Sequence, residues 1–205
     1  ARWDTARVWR GVQRSAWGYF KKLAVADRAA VVVDAVFANP AAYDRTQLLL
    51  GGVLFTVQLY ADFSGYTDIV LGLGEVLGLE LPENFRQPFF ADSVKDIWAR
   101  WHISLSRWLR DYVYIPLGGN RKGLARQIFN ILVVWMLTGL WHGASWNFVL
   151  WGLYFGVILA LEKIFLLKFL NKIPAFFSHF YSLLLIIFGW VIFCLLYTSP
   201  SPRDA

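Results

Sequence analysis

Two histidines are the residues of this chain best suited to move a proton: His142, in Trp141-His142-Gly143, and His102, in Trp98-Ala99-Arg100-Trp101-His102. A neutral imidazole is a general base near neutral pH, able to take the proton of a hydroxyl as its oxygen attacks a carbonyl. His142 lies between apolar runs. The run Ile128–Leu140 extends roughly 20 Å as a helix, against a hydrocarbon core of about 30 Å. The spacing therefore predicts an imidazole at membrane depth, where an ionisable side chain marks a functional site. The alternative for His142 is a hydrogen-bonding bridge between helices. For His102, on an apolar stripe among tryptophans, it is a buried and satisfied core histidine.

Other polar residues are open to two readings. Asp62, Asp68 and Glu75 fall within apolar sequence. Either they line a cavity with Ser64, Asn84 and Trp141, or they neutralise arginines such as Arg86 and Arg100. Ser64, Ser104 and Ser106 have no visible histidine-aspartate arrangement that would make a covalent nucleophile. No third ligand accompanies the two histidines, so no metal site is expected. His179 reads as a surface residue. Cys194, the single cysteine, allows neither an intrachain disulfide nor a cysteine cluster.

The elements that must position these residues belong in a membrane. Hydrophobic residues make up 58% of the 205, with eleven Trp and seventeen Phe, more apolar surface than a soluble domain of this size buries. The net charge of +6 falls in patches beside the apolar runs, where anionic lipid and the positive-inside rule account for it. Nucleic acid is not an expected partner. Lipid is.

An all-α, polytopic membrane protein follows, with helical hairpins, re-entrant or interfacial helices and a central polar cavity. Residues 1–45 read as a basic interfacial helix and a re-entrant turn. Residues 46–81 read as a membrane hairpin turning near Ser64-Gly65, because one helix of that length overshoots a bilayer. Residues 82–126 form a cytoplasmic basic segment. Within it Trp98, Trp101, His102, Leu105, Trp108, Leu109 and Tyr112 recur at helical spacing, predicting one amphipathic helix. Residues 127–163 form a second hairpin with Trp-His-Gly at its tip beside Gly139, Gly143 and Ser145. Residues 164–179 read as an interfacial loop and 180–196 as a membrane helix. Both basic segments are expected on the cytoplasmic side, which requires an even number of crossings between them. The sequence opens Ala1-Arg2-Trp3, so upstream membrane segments are expected. The tail, 197–205, resembles translated sequencing-adapter sequence.

The chain resembles the membrane-bound O-acyltransferase family, in particular its bacterial branch of alginate O-acetyltransferases. Five motifs carry the resemblance, in order: Leu59-Tyr-Ala-Asp-Phe-Ser-Gly-Tyr-Thr-Asp68, Asn84-Phe-Arg-Gln-Pro-Phe89, Trp98-Ala-Arg-Trp-His-Ile-Ser-Leu-Ser106, Tyr114-Ile-Pro-Leu-Gly-Gly119 and Thr138-Gly-Leu-Trp-His-Gly143. The resemblance implies that His142 is catalytic and His102 a second important residue, catalytic or shaping a tunnel through the helices. It implies acetyl-CoA as a cytoplasmic acyl donor, with no resident cofactor. It also implies an extracytoplasmic polysaccharide acceptor, secreted or periplasmic acetyltransferase partners, and a place in the bacterial inner membrane. Arg121 and Lys122 then read either as a site for the CoA phosphates or as a topology signal.

The expected function is transfer of acetyl groups toward a polysaccharide. The alternative within the same chemistry is D-alanyl or other acyl transfer to teichoic acid or peptidoglycan. A transporter is the alternative from another class, since interrupted hairpins with polar tips also describe transport sites. It should show two repeated halves, and the tips Asp62-Phe-Ser-Gly and Leu140-Trp-His-Gly differ.

Overall fold

The computed structural model describes residues 4–143 and 146–198. These residues form helices joined by short turns, with one isolated backbone bridge between Phe85 and Trp101. Ser145 and residues 199–205 lie outside the described residues. The chain divides into two compact units, 1–84 and 85–205.

The first unit is a single long hairpin. Asp4 caps α1 (Thr5–Phe20) by accepting from the amides of Ala6 and Arg7. One π-helical turn, Lys21–Ala26, carries the chain without interruption into α2 (Asp27–Ala38). Pro40 sits in the turn that follows. Asp44 and Gln47 exchange side-chain and backbone hydrogen bonds, each 2.9 Å, and start α3 (Arg45–Leu77).

The predicted hairpin within 46–81 is therefore corrected: α3 runs unbroken for 33 residues, roughly 50 Å. Residues 1–45 form no separate re-entrant turn either, since α1 and α2 run on through the π-helical turn as the other arm. Gly65, which reads as part of the turn, belongs with Gly72 to a packing stripe. Gly65 and Gly72 of α3 face Gly18 and Gly11 of α1, and a Cβ added at Gly11 or Gly18 would stand 2.5 Å from the opposing glycine carbonyl. Such contacts let helix backbones approach closely. Without the inner hairpin, the crossing-number argument for a shared side of the two basic segments loses its basis.

Charge follows the same seam. Arg10 pairs with Glu75 at 3.0 Å, and Lys22 with Asp62 at 2.9 Å. Asp68 lies between Arg14 at 3.1 Å and Lys21 at 2.6 Å, with its side chain only 15% exposed. The three carboxylates thus neutralise the α1 side of the hairpin, while Arg100 pairs with its own helix neighbour Asp96.

In the second unit, α4 (Val94–Arg100) and α5 (Ile103–Leu109) lead through a π-helical turn, Arg110–Tyr114, into a turn where Gly118 and Gly119 take positive φ of 111° and 51°. Then come α6 (Gly123–His142) and α7 (Trp146–Leu161), packed along Gly139, Gly152 and Gly156. A π-helical turn, Glu162–Leu166, joins α7 to α8 (Leu167–Leu170), and after Pro174 the last helix is α9 (Ala175–Thr198). The expected loop at 164–179 is thus mostly helix. The aromatic core gathers around Trp98, whose ring lies 4.7 Å from Trp135, 4.9 Å from Phe155 and 5.8 Å from Trp190. Among the described residues, four helices are long and apolar enough to cross a membrane: α3, α6, the stretch Phe148–Leu170 and Ala175–Cys194.

The half-buried charges of the first unit should matter more than its exposed ones. Asp68→Ala strands Lys21 and weakens Arg14, and is expected to destabilise the purified protein by about 2–3 kcal/mol. Glu75→Ala, which breaks a pair whose arginine is 59% exposed, should cost less than about 1 kcal/mol. Thermal unfolding in detergent checks the order; equal losses would refute it.

Candidate active site

The amphipathic stretch predicted from Trp98 to Tyr112 is not one helix. It stops at Arg100, Trp101 is extended (φ −110°, ψ 130°), and His102 adopts a left-handed conformation (φ 47°, ψ 53°) before α5 begins. A left-handed non-glycine residue stores strain of order 1–3 kcal/mol, and such residues cluster at functional sites. The break explains why the stripe is only partly buried. Trp101 and Leu109 are buried, whereas Trp108 and Tyr112 face outward.

Neighbours hold the break open. The amide of Arg86 donates to the carbonyl of Arg100 at 3.0 Å, and Trp101 packs against Phe85 at 5.0 Å and Trp190 at 5.1 Å. With Trp101 locked inward, the next residue can reach the far side only through a sharp reversal. His102 supplies it.

The reversal delivers His102 to a cavity of about 410 Å³ that His142 also lines. His142 ends α6. Because that helix is 20 residues long, roughly 30 Å, its length matches the hydrocarbon core, and the shorter apolar run no longer fixes the depth of the imidazole. Its Nδ1 lies 2.7 Å from the carbonyl oxygen of Thr138. A carbonyl only accepts, so Nδ1 carries the proton and neutral His142 keeps the lone pair on Nε2. The ring stands 4.9 Å from Trp141, 5.0 Å from Trp151 and 5.5 Å from Phe193. Trp151 is itself fixed by an indole hydrogen bond to the Gly189 carbonyl at 3.0 Å.

His102 is also a neutral group at pH 7. Burial, and secondarily the nearby His142, lower its pKa to about 4. The cavity thus presents an uncharged imidazole at His102 beside that of His142. Its walls combine Trp98, Trp101, Trp135, Trp190 and aliphatic residues with polar ones such as Ser106, Tyr114 and Thr138. Lys95, Arg110 and Lys163, all exposed, line it together with Asn120, and no carboxylate is among its lining residues. Cations without a lining carboxylate favour an anion, with Arg110 already paired to Asp111 at 2.8 Å.

The two histidines are brought together, and the other candidates are not. Asp62 and Ser64 belong to the hairpin of the first unit, where Asp62 meets Lys22 and Ser64 lies 3.3 Å from the Lys21 ammonium. Asn84 is half-buried and absent from the cavity wall. Trp141 touches both imidazoles, at 5.9 Å from His102, but is 61% exposed and does not line the cavity. Arg121 and Lys122 are exposed in the glycine turn and are not among the lining residues, though their neighbour Asn120 is. The cations that do line it were not anticipated, although Lys95 lies at helical spacing before Trp98. His179 is not in a loop: it lies on α9, its Nδ1 3.2 Å from the Ala91 carbonyl. Among the described residues, no group of three or more His, Cys, Asp or Glu is placed to hold a metal ion.

Comparison with known proteins fits this arrangement. The chain is 46% identical over 188 residues to a "Probable alginate O-acetylase" of Pseudomonas fluorescens, covering 89% of this chain and 37% of that protein. It is 37% identical over 179 residues to a peptidoglycan O-acetyltransferase of Helicobacter pylori, covering 86% and 34%. With a teichoic acid D-alanyltransferase of Bacillus subtilis it shares 34% identity over 128 residues, covering 57% and 32%. The chain therefore spans little more than a third of the length of these curated relatives. Residues 10–199 match the family model for membrane-bound O-acyltransferases. With four membrane-length apolar helices among the described residues and these bacterial relatives, this is a multi-pass bacterial membrane protein, and the chain belongs to the membrane-bound O-acyltransferase family.

Proposed function

We propose that this chain carries the acyl-transfer centre of an O-acetyltransferase of the bacterial inner membrane that modifies an extracytoplasmic polysaccharide. The observation that carries the reading is the bond between His142 Nδ1 and the Thr138 carbonyl. It leaves Nε2 as a base in a cavity that His102 shares. Nε2 takes the proton of an acceptor hydroxyl while that oxygen attacks the acyl carbonyl. The tetrahedral intermediate collapses, the C–S bond breaks, and the leaving thiolate takes up the proton. Acetyl-CoA, entering from the cytoplasm, is the proposed donor. Its phosphates would meet Lys95, Arg110 and Lys163 rather than Arg121 and Lys122.

An alginate-like acceptor is proposed because the alginate relatives reach 46% identity and cover 89% of the chain. D-alanyl transfer has the weaker support of 34% identity over 57% of the chain. Secreted or periplasmic acetyltransferases that pass the group onward are proposed as partners. Transport loses its footing with the unbroken α3, one of the two interrupted elements on which it relied.

Three outcomes are expected of the whole protein in membranes. His142→Gln should lower acetyl transfer by on the order of 10²–10⁴ at unchanged protein level; a loss smaller than about threefold in polysaccharide acetyl content would overturn the assignment. Lys95→Ala with Lys163→Ala should raise the donor KM by about tenfold, with little change in kcat and a weaker salt dependence. An unchanged KM would remove the donor from this edge. The third concerns pH. Because His102 has a folded-state pKa of about 4 against an ordinary 6.5, the unfolded chain binds the proton more readily between those values. Its contribution is complete above pH 6.5 and is lost as pH falls toward 4. Melting temperatures measured across that window should show a shallower pH dependence in His102→Gln than in the wild type.

A further inference from the structure

Glu162 is 1% exposed, lies within an apolar stretch long enough to span a membrane, and takes no part in the proposed chemistry. A buried carboxylate is costly unless its oxygens are fully bonded. Oε1 accepts from the amide of Val94 at 2.8 Å and Oε2 from the amide of Lys95 at 2.9 Å, and the hydroxyl of Tyr181 on α9 donates to Oε1 at 3.2 Å. The next amide, that of Asp96, is met by the Ser93 hydroxyl at 3.1 Å, and the helix's own bonds begin with the Ile97 amide donating to the Ser93 carbonyl at 3.0 Å. The three amides of the first turn that have no partner within the helix are thus satisfied. Negative charge is also favourable at that end of the dipole.

We infer that Glu162 is a positioning residue for His102: it fixes where α4 starts and therefore where, one short helix later, the chain breaks into the cavity. The inference rests on the reading of that cavity as the acyl-transfer site. A helix of seven residues is roughly 10 Å long and behaves as a rigid strut. Displacement at its first turn reappears at its last, where Trp101 and His102 reverse. The strut is held at three places. Glu162 ties its start to the α7–α8 turn, Trp98 anchors its middle in the aromatic core, and the Arg86 amide holds the Arg100 carbonyl at its end. The same carboxylate places Lys163, its chain neighbour, and Lys95, its hydrogen-bond partner, on one edge of the cavity. Glu162→Gln is the sharpest change available. The side chain keeps its size, but its amide must point a donor at a backbone donor.

The test is a double-mutant cycle on acetyl transfer by the whole enzyme, using Glu162→Gln, His102→Gly and the pair. Glycine keeps the left-handed backbone and deletes only the imidazole. Glu162→Gln alone should lower kcat by about tenfold or more, as misplacement of a group lining the reaction site does. In the His102→Gly background it should cost less than about twofold, since the group it positions is gone. Equal losses in both backgrounds would overturn the inference and leave Glu162 a general support of the fold. Should Glu162→Gln fail to accumulate, Ser93→Ala, which frees only the Asp96 amide at the same helix start, carries the same cycle. His142→Gln is measured alongside: full activity there defeats the reading of the cavity, whereas additivity in the cycle defeats only the role of Glu162.

Discussion

Helix α4 has to stop at Arg100, and much of the second unit follows from that constraint. The backbone bond from Arg86 and the burial of Trp101 against Phe85 and Trp190 leave no helical path forward. The chain escapes through a left-handed histidine. The strain is tolerable because both flanks are over-determined, by an aromatic core on one side and a fresh helix start on the other. A regular helix through this stretch would have aligned His102 with Trp98 and Leu105. The break instead turns its ring toward Trp141 and the end of α6.

Much of this was written in residue types, and some was not. The helical class and the apolar setting of the two histidines can be read directly, because periodicity and a lone ionisable group in apolar sequence are local signals. The stop at Arg100 could not, since helical spacing is unbroken across Trp98, Trp101 and Leu105 and the competing bonds come from residues 85–86 and 190. Glu162 escaped notice for a similar reason. Among lysines it resembles a solvated charge, and only the fold reveals that its partners are the amides of residues 94 and 95.

The first unit shows the opposite error, in which a true signal was given the wrong meaning. Ala61, Ser64, Gly65, Asp68, Gly72 and Glu75 lie at helical spacing, as do Gly11, Arg14, Gly18 and Lys21–Lys22. Small residues with interleaved opposite charge on two stripes describe two helices in contact, with ion pairs locking the register. Taken one stretch at a time, Ser64-Gly65 reads as a turn. Helix length against bilayer thickness was the misleading criterion, because α3 exceeds a single span without needing to bend.

The bond that fixes the proton on His142 ends in a main-chain oxygen, four residues back along the same helix. No side chain at position 138 is needed for it, so exchanges there that preserve the helix leave the tautomer untouched. What the arrangement does require is an intact final turn from Thr138 to His142. The competence of the base is thereby made a property of backbone conformation: fraying of one turn would free both ring nitrogens to exchange the proton, even with every neighbouring side chain still in place.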